Sequence, residues 1–357
     1  MGDFSMQKYL NRLIAGFALA FVIYAVYLFI AETRSSDSAF SYLPTFPTAM
    51  VLPLIAIQLV MAFLRWVEWH YYLGVVDARR KISVFDSMVL QFASFTMAAS
   101  PGKAGELLKS VVLKTKTGTD VARSAPIVLA ERVVDGIAVI IMLATAVLLG
   151  GDATNLQAWQ RNAILLSAML LAGGLVVVQI KPLAYFFLNL LPHIPLVRRA
   201  HTALVDFYES SREIFHLRHV IPMVTVGFGV YGLASLSLLL IMVGFGADFS
   251  WPLYLQAVIM AGVSAAVGAL SGSPNGAGVT EGSTQWILMS TLGYNAGLAL
   301  AIGLLHGFFN KWFRVFFGMI VGVIFRKRLF MPSLQIELAT AEANTDAPAA
   351  PEPIPSR

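Results

Sequence analysis

The sequence predicts an all-α polytopic membrane helix bundle, with about six full spans and two oppositely oriented re-entrant helical hairpins forming an inverted repeat. Three observations predict it. Hydrophobic residues make up 57% of the chain and charged residues 13%, with mean hydropathy +0.73, whereas soluble domains carry about 25% charge. Two long apolar stretches are each interrupted by a Ser-Pro, Gly and Glu string: "AASPGKAGELLKS" at 98–110 and "SGSPNGAGVTEGS" at 271–283. The basic residues concentrate in short loops beside apolar segments, the pattern that sets membrane orientation.

A span needs about 20 apolar residues. Six segments supply them: 13–31, 50–73, 125–149, 162–180, 220–246 and 297–325. The first follows Lys8 and Arg12, as a signal peptide would. It has no small-residue cleavage site before "ETRSSDS", so it is read as an uncleaved anchor. The last is long enough to tilt. Stretches 84–113 and 253–292 are the interrupted ones. With a cytoplasmic N-terminus and both of these entering and leaving on one side, the cytoplasmic loops hold Lys8, Arg12, Arg79, Arg80, Lys81, Lys114, Lys116, Arg123, Lys181, Arg198, Arg199, Arg212, Arg218 and Arg326 to Arg328. The outer loops hold only Arg34 and Arg161. A full crossing by either stretch would scatter that bias. Both are therefore read as re-entrant, the first from the cytoplasm and the second from the opposite face, as in transporters with interrupted helices in matching positions. Two ordinary loops just outside the bilayer are the plainer alternative.

Residues 1–330 form one membrane domain on this reading. Residues 331–357, rich in Ala, Pro and Glu, have too few large apolar side chains for a core and are expected to be a disordered cytoplasmic tail. The stretch "VRRAHTALVDFYESSREIFHLRHV" at 197–220 has helical spacing and mixed charge. It suits an amphipathic helix, either in the cytoplasmic interface or packed on the protein's own face.

Irregular backbone at membrane depth survives only where protein or water satisfies its polar groups, so the two strings point to a hydrated cleft. Ser100–Pro101 and Ser273–Pro274 each offer a hydroxyl cap followed by proline at a first helical position, with Thr280 as a later cap for the second. A half-helix starting there directs its positive end into the cleft and can hold an anion. Gly102, Gly105, Gly276 and Gly278 permit close backbone approach or positive φ, and Glu106 and Glu281 follow them in the same place.

Ionisable groups within spans usually face a cavity or one another. "AERVVD" puts Glu131 and Asp135 on one helical face with Arg132 adjacent, although the start of a span also suits interfacial charges that snorkel. His306, Asn310 and Arg314 recur every four residues as a polar stripe with Lys311 at its flank, either a cavity wall or an inter-helix hydrogen-bond network. Arg65 and Glu68, three apart, read more simply as a structural ion pair. Trp66, Trp69, Trp251 and Trp286 suit interfacial belts.

The chain has no cysteine, so no thiolate metal site or thiol nucleophile. It carries no nucleotide-phosphate loop, HExxH motif or GxSxG elbow. No basic and aromatic surface of a nucleic-acid binder appears, and no cofactor or metal is expected. An enzyme is therefore the lesser expectation.

"SPGKAGELLK", then "ERVVD", then the second Pro- and Gly-rich string ending in Glu281, resemble the lysylphosphatidylglycerol synthase transmembrane, or flippase-like, family. The resemblance runs from about residue 10 to residue 328. Asn275 stands where the family's second string has its first glycine. The resemblance implies a multi-pass membrane domain, expected in a bacterial inner membrane, and the loop charges put both termini in the cytoplasm. It would move or handle anionic phospholipids or polyprenyl-linked lipids between leaflets. Family synthases join it to a soluble aminoacyl-transferase domain that is not seen in this sequence, so lysine transfer is not expected. A membrane-embedded transferase of lipid modification, and a non-catalytic partner of a lipid-modifying enzyme (hopanoid biosynthesis included), are the alternatives. The candidate substrate-binding residues are Gly102, Lys103, Gly105, Glu106, Glu131, Arg132, Asp135, Asn275, Gly276, Gly278, Glu281, His306, Asn310 and Arg314. On the leading reading the phosphate sits near Gly102 and Gly276, helped by Lys103 and Arg132. Glu106 and Glu281 hold a cationic head group or bridge to basic neighbours such as Arg314.

Overall fold

A computed structural model describes residues 6–33, 37–99, 106–151, 156–179 and 214–329. Its helices, in chain order, are α1 (Met6–Thr33), α2 (Ala39–Tyr42), α3 (Val51–Val75), α4 (Val84–Ser94), α5 (Leu108–Thr117), α6 (Val121–Gly150), α7 (Ala158–Gln179), α8 (Leu217–Gly244), α9 (Trp251–Leu270), α10 (Val279–Leu292), α11 (Ala296–Gly307) and α12 (Phe313–Ile324). There is no strand among the described residues. The protein is a polytopic helical membrane protein. Among the described residues, five helical segments are long and apolar enough to cross a bilayer: Thr48–Val75, Val121–Gly150, Leu217–Gly244, Trp251–Leu270 and Ala296–Ile324. The expected first and fourth spans fall within α1, of 28 residues, and α7, of 22. The expected tail lies outside the described residues, as does most of the expected amphipathic helix.

Local chemistry sets the boundaries. Ser83 accepts from the Asp86 N–H at the start of α4, Ser250 from Leu253 at α9, and Asn295 from Leu298 at α11, each removing one free donor of a first turn. Gly118 and Gly293 end α5 and α10 in the left-handed conformation. Between α11 and α12 the chain runs through a π turn at Phe308–Trp312.

In both interrupted stretches the two described arms pack against each other as a hairpin's arms do, but the pairs are unequal. In the first, α4 (11 residues) and α5 (10 residues) each rise about 15 Å, half of a hydrocarbon core of about 30 Å. In the second, α9 has 20 residues and α10 has 14. The first arm is therefore of full span length, longer than a half-depth arm requires. Nothing between Pro252 and Leu270 breaks its apolar run, and the chain turns only at the Ser271–Gly272–Ser273–Pro274 string. The turns of the two hairpins meet: Phe95–Ala99 touches Pro274–Gly276, and α1 touches both.

Around this junction the bundle is close-packed. α8 lies against α3, α6 and α9, while α12 covers α4 and Phe95–Ala99. One core gathers Trp69, Leu73, Ile127, Val134 and Met223 from α3, α6 and α8. A second gathers Leu238, Met242, Met260, Leu288 and Ile302 from α8 to α11. Lipid tails are as apolar as these side chains, so helix association rests on contact and close approach. A Cβ at Gly227 would lie 2.8 Å from Ala138 Cβ, so α8 and α6 need glycine there.

Candidate functional site

Ser273–Pro274 does not start the long helix. Pro274–Gly276 is a single 3₁₀ turn, the Ser273 hydroxyl donates to Ala277 O at 2.9 Å, and α10 begins only at Val279. The reason is the backbone: Asn275, Gly276 and Gly278 have φ of 52°, 68° and 74°, which a right-handed helix cannot accommodate. Asparagine is the non-glycine residue that most readily adopts the left-handed region, so Asn275 keeps the turn that glycine would allow. No side chain caps α10. Thr280, its second residue, lodges its hydroxyl where a Cβ at Gly268 would come within 2.3 Å and one at Gly276 within 2.8 Å.

A cavity of about 910 Å³ opens at the junction of the hairpins, a size suited to a small-molecule site. Its walls come from both turns and from α3, α5, α6, α8, α9 and the π turn into α12. Of the residues singled out in the sequence, Glu106, Glu131, Arg132, Asp135, Asn275, Gly276, His306, Asn310 and Arg314 line it. Gly278 lies instead against Ile23 and Tyr27 of α1, and Glu281 is fully buried against Gly307. Gly102, Lys103 and Gly105 lie outside the described residues, as does Ser100–Pro101.

Ion pairs connect the wall on the side of α3, α5 and α6. Arg65 donates to Glu68 at 2.9 Å and also to Asp135. Arg132 meets Glu106 at 2.9 Å and Asp135 at 3.3 Å. Lys109 donates to both carboxylate oxygens of Glu131, at 2.7 and 2.8 Å, and to Gln91 Oε1 at 3.3 Å, with its ammonium 4.3 Å from the centre of the Trp69 ring. Glu131 is 3% exposed and Trp69 fully buried. The interfacial alternatives for both are thereby set aside, because these groups answer buried charges inside the bundle. Arg65–Glu68 is structural in part, but through Asp135 it belongs to the cavity wall.

The opposite side is differently built. His306 and Asn310 are buried, and Asn310 bonds to His306 Nδ1 at 2.9 Å, to Ser237 Oγ at 3.3 Å and to Gln58 at 3.4 Å. The stripe is thus an inter-helix network for its first two members. The third, Arg314, faces the cavity and donates through Nε to Asn310 O at 3.0 Å. Its expected bridge to Glu281 is not made: Lys311 takes that place, 3.8 Å from Glu281 Oε1 and 3.3 Å from Gly276 O. The π turn widens the helix by one residue within this stretch, which shifts the face that a strict four-residue spacing assigns.

Sequence reasoning passed over Lys109 and Lys311 as site members. The signal for Lys109 was its place three residues beyond Glu106 on the same short arm. For Lys311 it was its position inside an apolar segment, where a lone ammonium is costly.

Compared with known proteins, residues 13–318 match the family described as lysylphosphatidylglycerol synthase TM region. No curated protein and no solved structure matches the chain.

Proposed function

The chain belongs to the lysylphosphatidylglycerol synthase TM region family. On that premise we propose that it is a bacterial inner-membrane transporter that moves an anionic phospholipid or a lipid-linked intermediate between leaflets. The observation that carries this reading is the meeting of the two hairpin turns at one polar cavity. An isolated charge at mid-depth is expensive, and a wall of paired charges is the usual sign of a path for polar groups. A head group entering the cavity exchanges its hydration for these side chains while its acyl chains stay in lipid. The paired turns would act as the two gates, in the manner of inverted, interrupted helices. The bias of basic residues among the loops supports a cytoplasmic position for both termini under the positive-inside rule. A separate lipid-modifying enzyme is the natural partner of such a carrier.

Reconstitution tests the reading. Purified protein in liposomes, with fluorescent phosphatidylglycerol and a membrane-impermeant quencher, should raise the fraction quenched above the one-leaflet value of protein-free vesicles. Failure to move phosphatidylglycerol or a polyprenyl phosphate, under several imposed gradients, would count against transport.

A further inference from the structure

We propose that the cavity holds a phosphate-class anion at its second-turn side, between Arg314, Lys311 and the start of α10, rather than at Arg132. The proposal rests on the lipid-handling reading and assigns the head group's phosphate a place within it.

Charge is divided unequally around the cavity. On the α3, α5 and α6 side, Arg65, Lys109 and Arg132 stand against Glu68, Glu106, Glu131 and Asp135, and each cation has at least one carboxylate partner at 3.3 Å or closer. An incoming anion there must displace a carboxylate from a made ion pair. On the α10 and α12 side stand Lys311 and Arg314, where the carboxylate at salt-bridge distance among the described residues is Glu281, 3.8 Å from Lys311. Among the described residues no carboxylate comes within salt-bridge distance of Arg314. Its guanidinium donates to one carbonyl, that of Asn310 on its own helix, which leaves N–H donors of a five-donor group for a ligand. Arg65 and Arg132 are near enough to repel it, Asp135 is near enough to attract it, and Asp135 is already engaged by both other arginines. An anion at Arg314 relieves that repulsion.

Two polar atoms without partners lie on this side, as Arg132 Nε does on the other. Thr280 is 4% exposed, lines the cavity, and its hydroxyl has no hydrogen-bond partner; the buried amide nitrogen of Asn275 has none either. A buried hydroxyl left unpaired is costly, and a phosphate oxygen would remove that cost. Thr280 sits in the uncapped first turn of the 14-residue α10, whose free N–H groups and dipole favour an anion. Lys311 Nζ and Thr280 Oγ1 would lie 3.0 and 2.8 Å from one shared point, the Cβ that Gly276 lacks. Arg314, Lys311 and Thr280 line the same cavity and bring to it the guanidinium, ammonium and hydroxyl donors that recognise phosphate oxygens.

The test uses the full chain in nanodiscs of phosphatidylcholine, titrated with phosphatidylglycerol and read by native mass spectrometry of retained lipid. Wild type should retain phosphatidylglycerol over phosphatidylcholine. Arg314→Gln should weaken that retention about tenfold, Arg314→Lys less, and Thr280→Val about threefold, while Lys114→Gln on the outer face of the bundle should leave it unchanged. Thermal unfolding of each variant separates lost binding from lost fold, and Thr280→Val with Arg314→Lys carry the test if Arg314→Gln does not fold. Competition identifies the source. Dodecyl phosphate displacing the lipid where inorganic phosphate does not supports a lipid head group, and equal displacement by inorganic phosphate supports a free anion in the same subsite. Retention of phosphatidylglycerol by folded Arg314→Gln and Thr280→Val at the wild-type level overturns the subsite, and transport can still stand. Arginine-dependent binding without lipid movement in liposomes overturns the transport reading and leaves the subsite.

Discussion

Replacing Glu131 by Gln should destabilise the protein by about 3 kcal/mol, although it removes no more than one charge and almost no volume. Lys109 is 1% exposed and donates to both Glu131 oxygens at 2.7 and 2.8 Å. At an effective dielectric near 20, unit charges at that distance attract by about 6 kcal/mol. Glu131→Gln removes that attraction while Lys109 remains desolvated, and breaking one partner of a buried pair typically costs about 3–5 kcal/mol. The Trp69 face at 4.3 Å and the Gln91 oxygen at 3.3 Å still serve the ammonium, which puts the loss at the low end of that range. Lys109→Met with Glu131→Met removes both charges at similar volume and should stay within about 1 kcal/mol of wild type. Equilibrium unfolding in mixed detergent–SDS micelles, run on Glu131→Gln and on the cycle of Lys109→Met, Glu131→Met and their double, measures the coupling directly. Losses that simply add, or a Glu131→Gln loss below about 1 kcal/mol, would refute the buried-pair argument.

Two further outcomes follow from the second turn. Asn275→Gly should unfold within about 0.5 kcal/mol of wild type, whereas Asn275→Val should lose about 1–2 kcal/mol, since a β-branched residue resists φ of 52°. The same unfolding assay reads both, and equal losses would contradict the turn geometry. Gly307→Ala should cost about 1–3 kcal/mol by overpacking, because its Cβ would come within 3 Å of both Glu281 Cγ and Cδ. The neighbouring Gly303→Ala, 3.0 Å from Glu281 O, makes a milder comparison, and Gly307→Ala at wild-type stability would contradict the packing of Glu281 against α11.

Much of the architecture is written in hydropathy and punctuation. Runs such as 50–73 and 220–246 need only length and apolar content to be read as spans, and Ser-Pro-Gly clusters mark where helix must stop. The arm lengths were less legible. The apolar run from Trp251 to Leu270 has the composition of a half-helix and of a full one alike, and its length is settled only by where the chain turns. The charge partners were less legible still. Glu131 and Asp135 share a helical face in the sequence, yet one answers Lys109 of the first hairpin and the other Arg65 and Arg132. Those choices depend on how α4 and α5 sit against α6, which no local spacing encodes. Arg314 and Lys311 exchange roles because one π turn lies between His306 and α12, and a four-residue stripe carries no sign of it.

Cysteine accessibility is the most direct measurement of the central claim, that the two hairpin turns share one water-reached cavity. The chain has no native cysteine. Ala98→Cys and Ser273→Cys place one thiol on each turn at the cavity wall, and Val60→Cys, 48% exposed in the middle of α3 and away from the cavity, gives a lipid-facing control. The account predicts that a charged, impermeant thiol reagent labels both turn cysteines far faster than Val60→Cys, and that dodecyl phosphate slows labelling at both. Turn cysteines as unreactive as the lipid-facing control, or labelling indifferent to the alkyl phosphate at both sites, would contradict it.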